Sequence, residues 1–256
     1  MKKILINIWR IICYPLLYMV VQGIVTTVYT LVAGIILELD FNLYIPLITS
    51  DVIFLVLIFA IFGREWKAEK VWDLPKIKAT PLTLCIIFGI AFNILTVCFF
   101  IFVPVPQESF LDDLVGNNLI LELISIALFA AVIEEILFRG IVLKRLSKMM
   151  KPTFAVILSA VIFGIIHFDL VQSSYAFVVG LVLGLVYVWF DSIWLVIAIH
   201  FTYNGINVVL NHLLGETEIN LVVLIIITGV SLVVSVGCLL GLYSNRKLDI
   251  INGGEE

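Results

Sequence analysis

Ala131-Val132-Ile133-Glu134-Glu135-Ile136-Leu137-Phe138-Arg139-Gly140 sets two adjacent carboxylates and an arginine inside an apolar run extending from Leu119 to Leu143. A charged side chain in hydrocarbon costs about 3 kcal/mol or more, so such residues normally face a bundle interior and serve a function. The helical period sorts the three. Glu135 and Arg139 stand at i and i+4, with the acid N-terminal to the base, the better orientation for a pair. Glu134 lies about 100° around the helix from Glu135 and has no local partner. Glu135 and Arg139 are therefore read as neutralising each other, and Glu134 as the acid left to handle protons. A plain structural ion pair with one incidental acid is the competing reading.

Composition places this motif in a membrane. Of 256 residues, 62% are hydrophobic and 13% charged, with a mean hydropathy of +1.20. A soluble domain runs nearer a quarter charged. No short alternating strands suggest a β-barrel. The fold class is all-α: a polytopic membrane protein of about eight transmembrane helices. Cys13, Cys85, Cys98 and Cys238 all lie in apolar runs with no CxxC or Cys/His cluster, so neither a disulfide framework nor a zinc finger is indicated. The N-terminal stretch beginning Met1-Lys2-Lys3-Ile4 is interrupted by Arg10 and Tyr14-Pro15 and reads as a retained first span.

A span needs about 20 apolar residues. The candidates are 11–37, 44–63, 82–103, 119–143, 154–168, 174–190, 193–213 and 220–243, the fifth to seventh being short or interrupted by polar residues. Gln107 to Asn118 reads as a short amphipathic interfacial piece, with Phe110, Leu111 and Leu114 against Asp112 and Asp113. The loops alternate in charge. Lys2, Lys3 and Arg10 precede the first span. Arg64, Lys67, Lys70, Lys76 and Lys78 lie between the second and third, Lys144, Arg145, Lys148 and Lys151 between the fourth and fifth, and Arg246 and Lys247 after the last. The intervening loops carry Glu38, Asp40, Glu108, Asp112, Asp113, Asp169, Glu216 and Glu218 and no basic residue. The positive-inside rule then puts both termini in the cytoplasm. Gly180-Leu181-Val182-Leu183-Gly184 is a GxxxG, a mark of close helix packing. The chain divides into N-terminal helices with the interfacial segment (1–118), a core carrying the chemistry (119–212) and a last helix with its tail (213–256).

Three histidines accompany the acids. His167 closes Phe163-Gly164-Ile165-Ile166-His167 and His200 opens His200-Phe201-Thr202-Tyr203-Asn204; His212, near a span end, reads as structural. Counting helical rise from the turns near Met150-Lys151 and at Asp191-Ser192 puts Glu134, His167, His200 and Asn204 in one layer near mid-membrane. His200, Asn204, Asn207 and Asn211 share one helical face, which suggests a hydrated cavity, although Asn207 and Asn211 fit an interhelical hydrogen-bond seam better. An acid beside a histidine can activate water, and a histidine N–H with an asparagine amide can meet a developing oxyanion. Alternatively, Glu134, His167 and His200 could hold a divalent metal such as zinc that polarises the water. Both give hydrolysis, and the residues alone do not choose between them. No Ser or Cys accompanies a histidine at helical spacing, so covalent catalysis fits less well.

Glu134-Glu135-x-x-x-Arg139, Phe163-x-x-x-His167 and His200-x-x-x-Asn204, in this order, resemble the three motifs of the CPBP (Abi) intramembrane proteases, which include the CAAX endoproteases. The resemblance covers residues 119 to 212, and Phe138 and Gly140 also match. It implies an endopeptidase acting near the C-terminus of a membrane-anchored or prenylated substrate. Glu134 and His167 would activate water, His200 and Asn204 would bind the oxyanion, and Glu135, Arg139 and Phe163 would support the site. It leaves open a metal or a metal-free glutamate mechanism, and a role in leader-peptide processing or bacteriocin self-immunity. The expected setting is a bacterial plasma membrane, with the lipid bilayer and a membrane-anchored peptide or protein as partners and no nucleic acid. A proton-coupled transporter using the same acids and histidines is the rival class; no internal repeat of useful length supports it.

Overall fold

The fold is described from a computed structural model, over residues 2–37, 42–68, 78–103, 118–214, 217 and 219–246. Eight helical rods account for nearly all of these residues. Helix α1 (Lys2–Tyr29) continues with π-helical pairing through Thr30–Ile36. Next come α2 (Tyr44–Ala68) and α3 (Ala79–Phe102). Helix α4 is composite: Leu119–Glu122, a π stretch Leu123–Phe129, Ala130–Glu135, a second π stretch Ile136–Leu143, and Lys144–Ser147. Then follow α5 (Pro152–Ile165), α6 (Leu170–Phe190), α7 (Ile193–Leu214) and α8 (Leu221–Ser244).

Local chemistry sets the boundaries. The Asn118 side chain accepts from the Leu121 amide at 3.1 Å and so caps α4. Lys151 is extended, as a residue before proline should be, and Pro152 opens α5 where a missing N–H costs nothing. Asp169 caps α6 through the Gln172 amide at 2.6 Å, and Asn220 caps α8 through Val222 at 2.9 Å. Between α6 and α7 the chain turns in two residues, with Asp191 left-handed at φ 47°. Asp and Asn tolerate this region better than most residues.

The protein is an all-α, multi-pass membrane protein. Among the described residues, six helical stretches are long and apolar enough to cross a membrane; α4 and the shorter α5 are not in that set. Large apolar residues such as Trp9, Val233 and Leu240 lie on the outside, as a lipid-facing surface requires. The interior gathers around α4, whose residues from Glu135 to Leu143 are all buried. Helices α1, α2, α5, α6 and α7 pack on it; α3 packs against α7, and α8 against α3. The GxxxG is a close-packing device: a β-carbon on Gly180 would press on Phe163 and Ala160, and one on Gly184 would meet Val156 Cγ1 at 2.9 Å.

The fifth span differs from expectation. Its helix closes at Ile165 instead of reaching 168, which makes it 14 residues long. At helical rise that is about 21 Å, against a hydrocarbon layer of about 30 Å. The turn carrying His167 follows directly, and Phe168 is left-handed there at φ 55°. The interfacial piece expected over 107–118 lies outside the described residues, apart from Asn118, as do Glu38, Asp40, Lys70, Lys76, Glu216, Glu218 and Lys247.

Candidate active site

Helix α4 carries the two acids into different surroundings. The Glu135 side chain is fully buried, and Arg139 Nη1 donates to its Oε1 at 2.8 Å. The same oxygen lies 2.7 Å from His200 Nδ1, on α7. A carboxylate only accepts, so Nδ1 carries the proton. Arg139 also donates through Nη2 to the Gly180 carbonyl at 3.0 Å and lies over the Phe163 ring, 4.8 Å from its centroid. One guanidinium thus joins α4, α5 and α6. The spacing in sequence anticipates the Glu135–Arg139 pair; the second partner, His200, comes only from the packing of α7 on α4.

Glu134 faces elsewhere. Its side chain keeps 16% exposure, and Oε2 stands 3.9 Å from His200 Nε2. The two ring nitrogens of His200 thus face two neighbouring acids, one at hydrogen-bond distance and one a little beyond it. His167 is held from the other side: its Nδ1 lies 2.7 Å from the Phe163 carbonyl, an acceptor left over where α5 ends. With Nδ1–H donating, Nε2 keeps a free lone pair. Phe163 is the centre of the aromatic packing. Its ring centroid lies 5.0 Å from that of His167, 6.1 Å from that of His200 and 4.9 Å from that of Phe138.

Asn204 is placed less simply. Its Nδ2 donates to the Ile126 carbonyl at 2.9 Å, within the first π stretch of α4. In the second, Ser159 Oγ lies 3.3 Å from the Phe138 carbonyl. Side chains from neighbouring helices thus fill backbone acceptors where the pairing of α4 shifts register, as an irregular helix in an apolar layer requires. One amide hydrogen of Asn204 is committed in this way; among the described residues the second has no acceptor. His212 pairs with Glu122 at 2.8 Å near the ends of α7 and α4, away from this cluster. Asn207 is half-buried and Asn211 exposed.

Among the described residues, no three of His, Cys, Asp and Glu converge as a metal-binding set. The protein acceptors on His167 and His200 engage Nδ1, which leaves Nε2 as the atom either ring would offer a metal.

One part of the neighbourhood went unnoticed in the motifs. Asp51, 2% exposed on α2, accepts from the Tyr18 hydroxyl of α1 at 2.9 Å, and Gln22 donates to that hydroxyl at 2.8 Å. The helix carrying Asp51 packs on the Ala130–Glu135 part of α4. A signal for Asp51 existed: it is the one acid in the apolar stretch 44–63, and an ionisable residue inside a span is a functional candidate by default.

Fold and cluster define a polytopic helical membrane protein with an acid–imidazole site in its interior. Residues 116–206 match the model of the family described as Type II CAAX prenyl endopeptidase Rce1-like, in line with the CPBP/CAAX protease motifs. At the level of the family this supports a CAAX-type intramembrane protease. The match holds α4 to most of α7 and leaves α1, α2, α3 and α8 outside it. Neither a curated protein nor a solved structure matches the chain.

Proposed function

We propose that the protein is an intramembrane endopeptidase that hydrolyses a peptide bond of a membrane-associated substrate, prenylated or carrying a leader, with Glu134 as the general base. The observation that carries this reading is the partly exposed Glu134 carboxylate 3.9 Å from His200 Nε2 within an apolar bundle. That gap leaves the acid unspent and close to a potential donor.

The chemistry balances with the residues present. Glu134 takes one proton from a water whose oxygen adds to the scissile carbonyl carbon. His167 Nε2, with its lone pair free, accepts the water's other hydrogen and orients it. The carbonyl oxygen becomes an oxyanion, met by His200 Nε2–H and the second amide hydrogen of Asn204. The intermediate collapses, the C–N bond breaks, and Glu134 returns its proton to the leaving nitrogen. With both ring nitrogens of His200 protonated, Glu134, Glu135, Arg139 and His200 sum to zero formal charge, the arrangement a buried site favours. A bound metal such as zinc, which Glu134 and the Nε2 atoms of His167 and His200 would hold, would instead polarise the water.

The topology belongs to the same proposal: a bacterial plasma membrane, both termini cytoplasmic, and the core 119–212 as the chemical unit. The test uses purified full-length protein in liposomes. A C-terminally prenylated peptide or a leader peptide should be cleaved, and Glu134→Gln and His167→Ala should abolish cleavage. Substrate-dependent proton flux without cleavage would instead support a carrier. Protection from a bacteriocin that persists in Glu134→Gln would support an immunity role that needs no hydrolysis. A cysteine placed at Lys148 should label from the cytoplasmic side; labelling from outside overturns the orientation.

A further inference from the structure

Helix α3 lies outside the stretch that the family description covers, yet it packs along α7, the helix that carries His200 and Asn204. Both of those side chains reach across to α4. His200 Nδ1 donates to Glu135 Oε1 at 2.7 Å, and Asn204 Nδ2 donates to the Ile126 carbonyl at 2.9 Å. Thr202 stands two residues from each and so lies about 160° round the helix from both, at the back of α7. There it meets the buried Gly89 of α3. A β-carbon on Gly89 would collide with Thr202 Oγ1 and stand 2.7 Å from the carbonyl oxygen of Ile199, the residue before His200. The hydroxyl is held in place: it donates to the Ala198 and Ile199 carbonyls at 2.8 and 3.0 Å. The carbonyl is backbone and moves only with the helix. One turn along α3, the Phe92 ring lies against Tyr203, with centroids 5.9 Å apart. Behind α3 stands α8, where a β-carbon on Gly241 would touch Leu84 Cδ1 at 3.1 Å.

We infer that Gly89 is a positioning residue for His200 and Asn204: having no side chain, it seats α7 where both of them reach α4. The inference rests on the proposed role of that pair as oxyanion donors. Small residues let helix backbones approach closely, and in lipid such packing drives helix association. Non-bonded atoms settle about 3.5 Å apart, so a methyl group at position 89 forces α3 and α7 to part or slide by on the order of 1 Å. Helix α3 is closed from behind by α8, so part of that movement falls on α7. Hydrogen bonds of ordinary length do not survive such a displacement. The oxyanion donors then miss the place where charge develops. Gly89 touches no reacting atom; it acts through the back of α7.

Two measurements test this on the full-length protein in lipid nanodiscs. The first is the magnetic resonance signal of the His200 Nδ1 proton, with isotope-labelled histidine, assigned by its loss in His200→Gln. It needs no substrate, and a charge-assisted bond to a carboxylate sets that proton apart from ordinary ring protons. Gly89→Ala should displace the signal. Adding Thr202→Ala should bring it back most of the way, because the new methyl group then takes the place of the hydroxyl. A signal that stays put in folded Gly89→Ala overturns the inference, whatever the peptide assay gives. A signal that the double variant leaves displaced overturns it too, since the effect then does not pass through this contact. The second measurement is cleavage. Gly89→Ala should lower kcat about 10²-fold, as a misplacement of about 1 Å does, and leave KM unchanged; the double variant should recover much of the rate. A loss confined to KM, or to melting temperature with kcat intact, makes Gly89 a packing residue only. Should Gly89→Ala not fold, Thr202→Ala alone removes the hydroxyl that fills the seat; its His200 signal must move, and an unmoved signal overturns the inference. Absence of cleavage in the wild type, with a signal that moves and recovers, would sink the proposed reaction and leave the seating of α7 by Gly89 standing.

Discussion

Glu134 and Glu135 are neighbours on one helix, yet they face two different regions of the molecule. On one side lies a sealed interior: Glu135 is fully buried, its Oε1 shared between Arg139 at 2.8 Å and His200 at 2.7 Å, while its Oε2 has no hydrogen-bond partner among the described residues. On the other lies a looser region, where Glu134 keeps some exposure and its distance to His200 Nε2 is 3.9 Å. The first arrangement fixes a geometry; the second leaves a group able to change its protonation partner. A single turn of helix therefore offers a buried, paired acid and a partly exposed one, and α7 links them, because one imidazole faces both. Adjacent identical side chains are separated by environment alone.

The sharpest way to break that contrast is to neutralise each acid in turn. Glu134→Gln should cost about 10³-fold or more in cleavage, as loss of a general base does, with an unfolding midpoint close to wild type. Substantial retained activity would remove Glu134 from the chemistry. Glu135→Gln should act on stability first, by about 3–5 kcal/mol, because it leaves Arg139 buried without its counter-charge. Denaturation in mixed micelles reads this. A Glu135→Gln protein that folds normally but is inactive would reverse the division of labour. Replacing Glu135 and Arg139 together by Gln and Met should restore part of the lost stability, since the stranded charge is then gone.

Asn204→Ala sharpens the reactive side. It should lower kcat about 10²-fold through loss of an oxyanion donor, with KM little altered. A fall in melting temperature without a kcat effect would leave Asn204 only its bond to the Ile126 carbonyl. Gly184→Val tests the scaffold: forcing branches against Val156 should cost about 1–3 kcal/mol by overpacking, separating α5 from α6 and loosening the Phe163 platform. The smallest effect expected is that of a chelator. Activity should persist in it, and loss restored by added zinc would replace the glutamate mechanism with a metal one.

Several of these features could be read before folding. Glu135 and Arg139 pair because four residues on an α-helix bring them together even as the pairing turns π-helical beyond Glu135. Gly180 and Gly184 pack because small residues on one face admit a neighbour. Other features lay out of reach. The 2.7 Å contact between His200 and Glu135 joins residues 65 positions apart, and no periodicity within one helix specifies it. Asn204 fills a carbonyl exposed by a π stretch, and nothing in the run Leu123 to Phe129 announces that change of pairing. Helix α5 stops three residues short of its apolar run, and the turn that follows carries His167.

The sequence by itself determined that this chain lies in a membrane as a set of helices, that its charges are few and that three ordered polar motifs are set into apolar spans. Those are consequences of composition and period, which the bilayer reads directly. The tertiary structure alone decided which acid is buried against Arg139 and His200 and which keeps some exposure, and that two helices beyond the motifs pair a third buried acid with a phenol. The reason is physical: burial and electrostatic company are properties of neighbours, and neighbours from different helices are chosen by packing.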